Sequence, residues 1–257
     1  MTKKNKAVIL VAARIKSTRL PAKAVTKIEG KTAIEHLLDR LKLAKIPKAI
    51  IVCTTKNKED DILIKIARKN KVKWFRGSEK DVLARFLGAA DREKADIIVR
   101  VTGDNILVDP EYLDKAVKYH IRERADYTSI QGLPSGVKCE VMSVSALEKI
   151  HSSAEAPQAT EYLTWFFTKN PAYFKIVDMP LEDNFKRNFR LTLDAREDLE
   201  VLKTIFKNLY KKGKPPFTTG ELFAFLDKNP EVLKINETVK QRDFTVENKI
   251  NVKLRKK

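Results

Sequence analysis

Three groups of residues carry side chains that could do chemistry together. The first is segment 11–23, Val-Ala-Ala-Arg-Ile-Lys-Ser-Thr-Arg-Leu-Pro-Ala-Lys. It holds four cations, Arg14, Lys16, Arg19 and Lys23, two hydroxyls, Ser17 and Thr18, and the stiffening Pro21. The second is Asp104, in Arg-Val-Thr-Gly-Asp-Asn (100–105), and the third is Asp194, in Arg-Leu-Thr-Leu-Asp (190–194). Cations at this density suit an anionic ligand. Two carboxylates brought together suit Mg²⁺, which takes hard oxygen ligands and keeps positions for water and substrate phosphate. Taken singly, each aspartate reads more readily as a helix cap, Asp194 before Ala-Arg-Glu-Asp-Leu above all. Segment 11–23 contains no glycine, so neither the P-loop nor the dinucleotide fingerprint fits. Phosphate would be held there by side-chain charge. Gly103, next to Asp104, would let a ligand approach the backbone closely.

The elements that must position these residues follow from hydrophobic pattern. Ala7 to Val11 is an apolar run that reads as a buried parallel strand, which places the basic segment at its carboxyl end. That rim is where open α/β sheets take anionic ligands. Thr32 caps an expected helix with Ile34, Leu37, Leu38, Leu41 and Leu43 at helical spacing. Strands are expected at 49–53, 72–75 and 96–102, and helices at 60–70, from about 82 to 90, and from Pro110 to about Arg122 with Asp109 as cap. Ser78 with Asp81 three residues on resembles a capping box. Four strand–helix alternations in the first hundred residues predict an α/β fold, a mostly parallel mixed sheet with helices on both faces. Residues 125–142 read as β-rich, interrupted by Gly132, Pro134 and Gly136. Helical stretches are expected near 143–151 and 157–169, and strands at 174–179 and 188–193. Helices at about 195–211 and 219–228 come before a charged tail. Asp104 and Asp194 thus both fall just past strands, on the same rim as the basic loop.

Composition excludes some classes. The chain has 257 residues, 43% hydrophobic and 33% charged, with no apolar run approaching the roughly 18 residues of a membrane span. The start, Met-Thr-Lys-Lys-Asn-Lys, lacks a signal peptide's apolar region, so a cytoplasmic location is expected. Cys53 and Cys139 lack metal or redox spacing and are expected in the core. The net charge of +18 comes from lysines spread along nearly every segment, with one dense cluster at Lys253, Arg255, Lys256 and Lys257. No nucleic-acid motif accompanies it, and nucleic acid is not the expected partner.

Segment 13–23, Ala-Arg-x-x-Ser-Thr-Arg-Leu-Pro-x-Lys, resembles the nucleotide-binding signature of the cytidylyltransferases, a family that includes the CMP-Kdo and CMP-acylneuraminate synthetases. The resemblance is nearest to the SpsF-like spore coat polysaccharide proteins. It continues through Gly-Ser-Glu-Lys-Asp-Val-Leu-Ala-Arg-Phe (77–86), residues 100–105, Val-Asp-Pro-Glu-Tyr-Leu (108–113), Glu140-Val141, residues 190–194 and Asn-Pro-Glu-Val-Leu-Lys-Ile-Asn (229–236).

The resemblance implies a nucleotide-diphospho-sugar transferase fold of glycosyltransferase-A type. It also implies Mg²⁺-dependent transfer of CMP from CTP to an acceptor oxygen, with release of pyrophosphate. Carried over, Arg14, Ser17, Arg19 and Lys23 would hold the triphosphate, and Ala12 and Ala13 would back the base. Gly77, Ser78, Asp81 and Arg85 would lie on the nucleotide side. Asp104 and Asp194 would hold the metal, with Gly103 beside them. Arg14, Arg19, Lys23 and Asp104 would then be the catalytic set. No covalent enzyme intermediate is implied. His36, His120 and His151 lie outside the motifs. Three departures stand out: Ala22 in place of the usual glycine, Lys16 in place of a small residue, and Ile106 in place of proline.

The expected organisation is one nucleotidyltransferase domain over 1–229 and a charged extension over 230–257. An acceptor or dimer region lies at about 125–180, and the family implies a homodimer. Thr160-Glu161-Tyr162 falls where SpsF-like relatives carry a histidine-containing element, so no catalytic role passes to Tyr162. Trp165, Phe166 and Phe167 read as core or subunit interface. The basic charge suits a small anionic acceptor, a sugar acid or a phosphorylated polyol. The rival readings are another nucleotide specificity, a glycosyltransferase on the same fold, and a catalytically silent polyanion-binding protein.

Overall fold

The structure, a computed structural model, describes residues 5–17, 19–153, 163–240 and 254. Its centre is β1 (Ala7–Ala12), a strand apolar on both faces and buried along nearly its whole length. Parallel neighbours flank it: β4 (Ile50–Thr55) on one side and β6 (Ile97–Thr102) on the other, with β5 (Lys73–Gly77) beyond β4. The sheet continues past β6 through β8 (Glu140–Ser143), β7 (Tyr127–Ile130) and β9 (Ile176–Met179), giving the order β5-β4-β1-β6-β8-β7-β9. Only β8 runs against the rest, antiparallel to β6 and β7. A small hairpin, β2 (Lys27–Ile28) and β3 (Lys31–Thr32), follows the basic loop and stands apart from the main sheet.

Alternation along β1 divides the core. Ile9 and Val11 face α1 (Ala33–Leu41), α4 (Pro110–Glu123) and α7 (Arg196–Leu209), whereas Val8 and Leu10 face α3 (Val82–Glu93), α5 (Val144–Ser153) and α6 (Leu163–Thr168). A strand covered on both faces can be apolar throughout, which is why Ala7 to Val11 shows no polar alternation. Each such Leu or Ile contributes about 1.5–3 kcal/mol on burial. α2 (Asp61–Lys69) packs Leu63, Ile66 and Ala67 beside β4, in a cluster that also takes Ile34 and Leu38 of α1. α8 (Thr219–Lys228) and the short α9 (Glu231–Lys234) add Leu222, Leu226 and Val232 to the first cluster.

Local sequence explains the helix starts. Thr32 and Glu35 form a reciprocal capping box on α1, and the Asp109 carboxylate accepts from the Tyr112 amide ahead of Pro110 on α4. Cys53 and Cys139 are buried free thiols. Phe166 and Phe167 are fully buried and Trp165 packs against their cluster, so this aromatic run is core.

Three expectations are corrected. Residues 188–193 form no strand of the sheet. Instead Arg190 makes one parallel bridge to Ser135, the Leu191 amide donates to the Ser135 carbonyl at 2.8 Å, and the Leu193 amide donates to the Asp104 carbonyl at 2.9 Å. The partner of this segment is a loop, bent by Gly136 at φ +98°. At the start of α3 the cap is Asp81, whose carboxylate accepts from the Ala84 amide at 2.9 Å, while Ser78 Oγ accepts from the Asp81 amide at 3.0 Å. The helix therefore begins at Val82, and Ser78 belongs to the preceding turn. The helix expected over 157–169 is seen as Leu163–Thr168, and residues 157–162, with Thr160-Glu161-Tyr162, lie outside the described residues. Thr18 and the basic cluster at 253 and 255–257 lie outside them too.

Candidate active site

The carboxyl ends of β1, β4, β5 and β6 form one rim. At Ala13 the chain leaves β1, its amide donating to the Cys53 carbonyl of β4 at 3.2 Å. Asp60, 1% exposed, anchors the next turn: its carboxylate accepts from the Ile15 amide at 2.7 Å and the Thr55 amide at 3.1 Å. Arg14, Lys16 and Arg19 are exposed on the loop and Ser17 is partly exposed. The loop closes where the Ala22 amide donates to the Ile15 carbonyl at 3.2 Å. Ala22 itself is left-handed, φ 54° and ψ 24°, a conformation that favours glycine. The turn suits the glycine that the resemblance implies at this position, and it delivers Lys23.

Lys23 Nζ lies 2.6 Å from Asp104 Oδ2 and 2.6 Å from Asp194 Oδ1. Arg19 Nη2 is 3.0 Å from Asp194 Oδ2, and Arg190 Nη2 is 3.7 Å from the same oxygen. The Thr102 hydroxyl donates to the other oxygen of Asp104. Burial alone would raise the Asp104 pKa, but the Lys23 charge and the bonds from Lys23 and Thr102 outweigh it and hold the carboxyl below the usual range. Burial would lower the Lys23 pKa, and the two aspartates reverse that and raise it. Asp104 and Lys23 are therefore ionised at neutral pH.

Asp194 does not cap α7. That task falls to Asp198, whose carboxylate accepts from the Asp194 and Ala195 amides, both at 2.9 Å. Arg190 donates to Asp198 at 2.8 and 2.9 Å, and the Asn236 amide group donates to the Asp198 carboxylate at 2.9 Å and the Arg190 carbonyl at 3.0 Å. The Asp194 side chain is thereby left to face Lys23. Gly136 fits against this segment, since a Cβ there would lie 2.2 Å from the Leu191 carbonyl oxygen. Gly103 is similarly placed: a Cβ would sit 3.0 Å from Ala13 Cβ and 3.3 Å from the Ala12 carbonyl oxygen.

A second group sits at the end of β5. Arg85 of α3 is 4% exposed and lies under Gly77, where a Cβ would be 2.9 Å from Arg85 Cγ. Its Nε and Nη1 have no hydrogen-bond partner among the described residues. Burial lowers its pKa, and the neighbouring Arg14 charge acts in the same direction.

The structure thus brings Arg19, Lys23, Asp104 and Asp194 into contact, sets Ala12, Ala13 and Gly103 shoulder to shoulder, and groups Gly77, Ser78, Asp81 and Arg85 two strands away. His36 and His120 are buried in α1 and α4, and His151 of α5 lies 3.4 Å from Asp81. Sequence reasoning missed Asp60, Thr102, Arg190, Asp198 and Asn236 as supports. Thr102, Arg190 and Asn236 stood inside quoted motifs, and that was their only signal. No cluster of three or more potential metal-ligating His, Cys, Asp or Glu occurs among the described residues. Two hard-oxygen carboxylates around one cationic centre nonetheless fit Mg²⁺, which draws its remaining ligands from water and phosphate.

A parallel rim with a cationic loop and a cation-bridged aspartate pair defines an α/β nucleotidyltransferase. The cytidylyltransferase family profile matches residues 8–228. An uncharacterised protein of Methanocaldococcus jannaschii is 36% identical over 91% of this chain and 96% of its own length. The spore coat polysaccharide biosynthesis protein SpsF of Bacillus subtilis is 31% identical over 88% of this chain and 96% of its own. The solved structure of a cytidylyltransferase from Leptospira borgpetersenii superposes with a TM-score of 0.85 at 33% identity, covering 93% of this chain and 100% of that one. The chain belongs to the cytidylyltransferase family. Among the described residues no helix is long and apolar enough to cross a membrane.

Proposed function

We propose that this enzyme is a Mg²⁺-dependent CTP:acceptor cytidylyltransferase. It transfers CMP to a small anionic acceptor, an acidic sugar or phosphorylated polyol, and releases pyrophosphate, supplying an activated precursor for surface polysaccharide or glycan. The observation that carries this reading is Lys23 held 2.6 Å from both Asp104 and Asp194 at the foot of the basic loop. Arg14, Ser17 and Arg19 bind the triphosphate from the loop, and Lys23 offsets charge on the departing pyrophosphate. Asp104 and Asp194 hold Mg²⁺, which when bound neutralises phosphate charge and lowers the proton affinity of the attacking oxygen. Gly103, Ala12 and Ala13 leave room for the nucleotide to lie against the strand ends. Gly77, Ser78 and Arg85 take the base side. One Asp81 oxygen is spent on the α3 cap. In-line displacement needs only positioning and charge neutralisation, so no nucleophilic side chain is used.

The acceptor side is residues 125–180, within one nucleotidyltransferase unit over 1–229. Its polar centre is Glu140, which accepts from Arg100, from the Tyr127 hydroxyl at 2.6 Å and from the Thr164 hydroxyl at 2.7 Å. Arg100 and Thr102 share a face of β6, so this cluster lies two residues back from Thr102, whose hydroxyl bonds the Asp104 carboxylate. The same region suits a homodimer contact. Binding of the four nucleoside triphosphates, with and without Mg²⁺, tests the proposal: CTP is bound selectively, and equal binding of all four would contradict it.

A further inference from the structure

The cation between the two aspartates is a protein side chain. Lys23 Nζ makes hydrogen bonds of 2.6 Å to both Asp104 and Asp194, and its side chain is only 18% exposed. These are the carboxylates that the proposed function assigns to Mg²⁺, and the inference rests on that reading. A divalent ion and an ammonium cannot share one space between two carboxylates, since Coulomb repulsion between them is severe at such separations. Lys23 must leave for a metal to enter.

We propose that Lys23 is a built-in counter-cation that holds the two-aspartate site closed to metal until a nucleoside triphosphate offers the ammonium a new partner. Three features carry it. First, each aspartate has other support in place: Thr102 bonds Asp104, and Arg19 forms an ion pair with Asp194 at 3.0 Å, so departure of Lys23 leaves neither carboxylate without a partner. Second, Lys23 follows Ala22, whose left-handed backbone ends the basic loop, so the loop that would meet the phosphates also carries the lysine. Third, the lysine side chain has four rotatable carbons, so the ammonium can swing without backbone movement. The consequence is an order of binding. Metal alone is a poor ligand, and triphosphate and metal enter together, the ammonium passing from carboxylates to phosphate. The site then avoids idle occupation by divalent ions without nucleotide.

The test is Mn²⁺ binding to the full chain without nucleotide, measured by calorimetry and by the electron paramagnetic resonance of free Mn²⁺. Wild type, Lys23→Gln, Lys23→Met and the double variant K23Q/D104N are compared, with thermal unfolding to check that each is folded. The proposal expects both single Lys23 variants to bind Mn²⁺ at least tenfold more tightly than wild type, from removal of one positive charge at contact distance. The double variant loses that gain. Gln keeps a hydrogen-bond donor and Met keeps the length, so either one alone carries the comparison. Equal or weaker Mn²⁺ binding in the single variants would overturn the proposal, as would a gain that survives in K23Q/D104N. Failure of the functional reading is a separate result: it would appear as absence of CTP binding in wild type, and the Mn²⁺ comparison does not depend on CTP.

Discussion

Arg190 grips Asp198 through two bonds, 2.8 and 2.9 Å, and this pair closes the N-terminus of α7 in place of Asp194. The Asp198 side chain is 0% exposed. Burial works to raise its pKa, and the bonds from Arg190, Asn236 and the Asp194 amide outweigh it and hold the carboxyl below the usual range. Asp198→Ala leaves Arg190 only its longer, 3.7 Å pair with Asp194 and strips the α7 amides of their acceptor, and is expected to cost about 3–5 kcal/mol of stability. Asn236→Ala removes one donor and costs about 1–3 kcal/mol. Both changes loosen Asp194, so Mg²⁺-dependent CTP affinity falls in each while Mg²⁺-independent CTP binding holds. Urea unfolding with CTP titration checks this, and unchanged Mg²⁺ dependence in Asn236→Ala would refute the positioning role.

Ala22 occupies a left-handed turn in which its Cβ is a liability. Replacing it with glycine removes about 1 kcal/mol of backbone strain and adds some freedom to the unfolded chain. The net expectation for Ala22→Gly is a gain of roughly 0.5 kcal/mol, visible as a small rise in the denaturation midpoint. A loss above about 1 kcal/mol would mean that the turn is not strained.

His120 is 2% exposed, with Nδ1 2.9 Å from the Thr128 hydroxyl, and burial lowers its pKa from 6.5 to about 4. A base whose folded pKa is depressed stabilises the fold fully above its unfolded pKa. That contribution is lost as pH falls from 6.5 through 4. Its size is about 3 kcal/mol, at 1.36 kcal/mol per pH unit. The stability difference between wild type and His120→Gln should therefore shrink by that order over this pH window in urea titrations. Parallel pH curves for the two proteins would show that His120 is not the titrating group.

Arg85 keeps two buried donors without partners among the described residues, a costly arrangement unless a ligand completes it. If that ligand is the base, Arg85→Lys weakens CTP at least tenfold and leaves tripolyphosphate affinity unchanged, since Lys retains charge and loses the planar donors. An equal loss for both ligands would assign Arg85 to the phosphates instead.

Much of this was legible from residues alone. Ala7 to Val11, Ile97 to Thr102 and the helices between them are strongly patterned elements, and each starts within a residue or two of its expected place. The loop cations and Asp104 stood out because charge just past an apolar strand has a rim to sit on, whereas Asp194 was singled out behind a segment that forms no strand of the sheet. Other features were hidden for physical reasons. Residues 188–193 alternate like a strand, yet their partner is the 132–137 loop, so a two-residue period misled. Asp198 reads as an ordinary first-turn acid. Only the fold shows that it binds Arg190, and that Asn236, 38 positions on, completes the grip. Nothing in the sequence indicates that Asp60 ties down the basic loop 45 positions away.

The central claim is that Asp104 and Asp194 form a metal site serving a bound CTP. The most direct measurement is equilibrium binding of CTP, UTP, ATP and GTP to wild type and Asp104→Ala, each with and without Mg²⁺. Wild type is expected to select CTP, Mg²⁺ to tighten CTP at least tenfold, and Asp104→Ala to lose the Mg²⁺ effect while keeping nucleotide selectivity. Mg²⁺ strengthening CTP equally in Asp104→Ala, or four nucleotides bound alike by wild type, would contradict it.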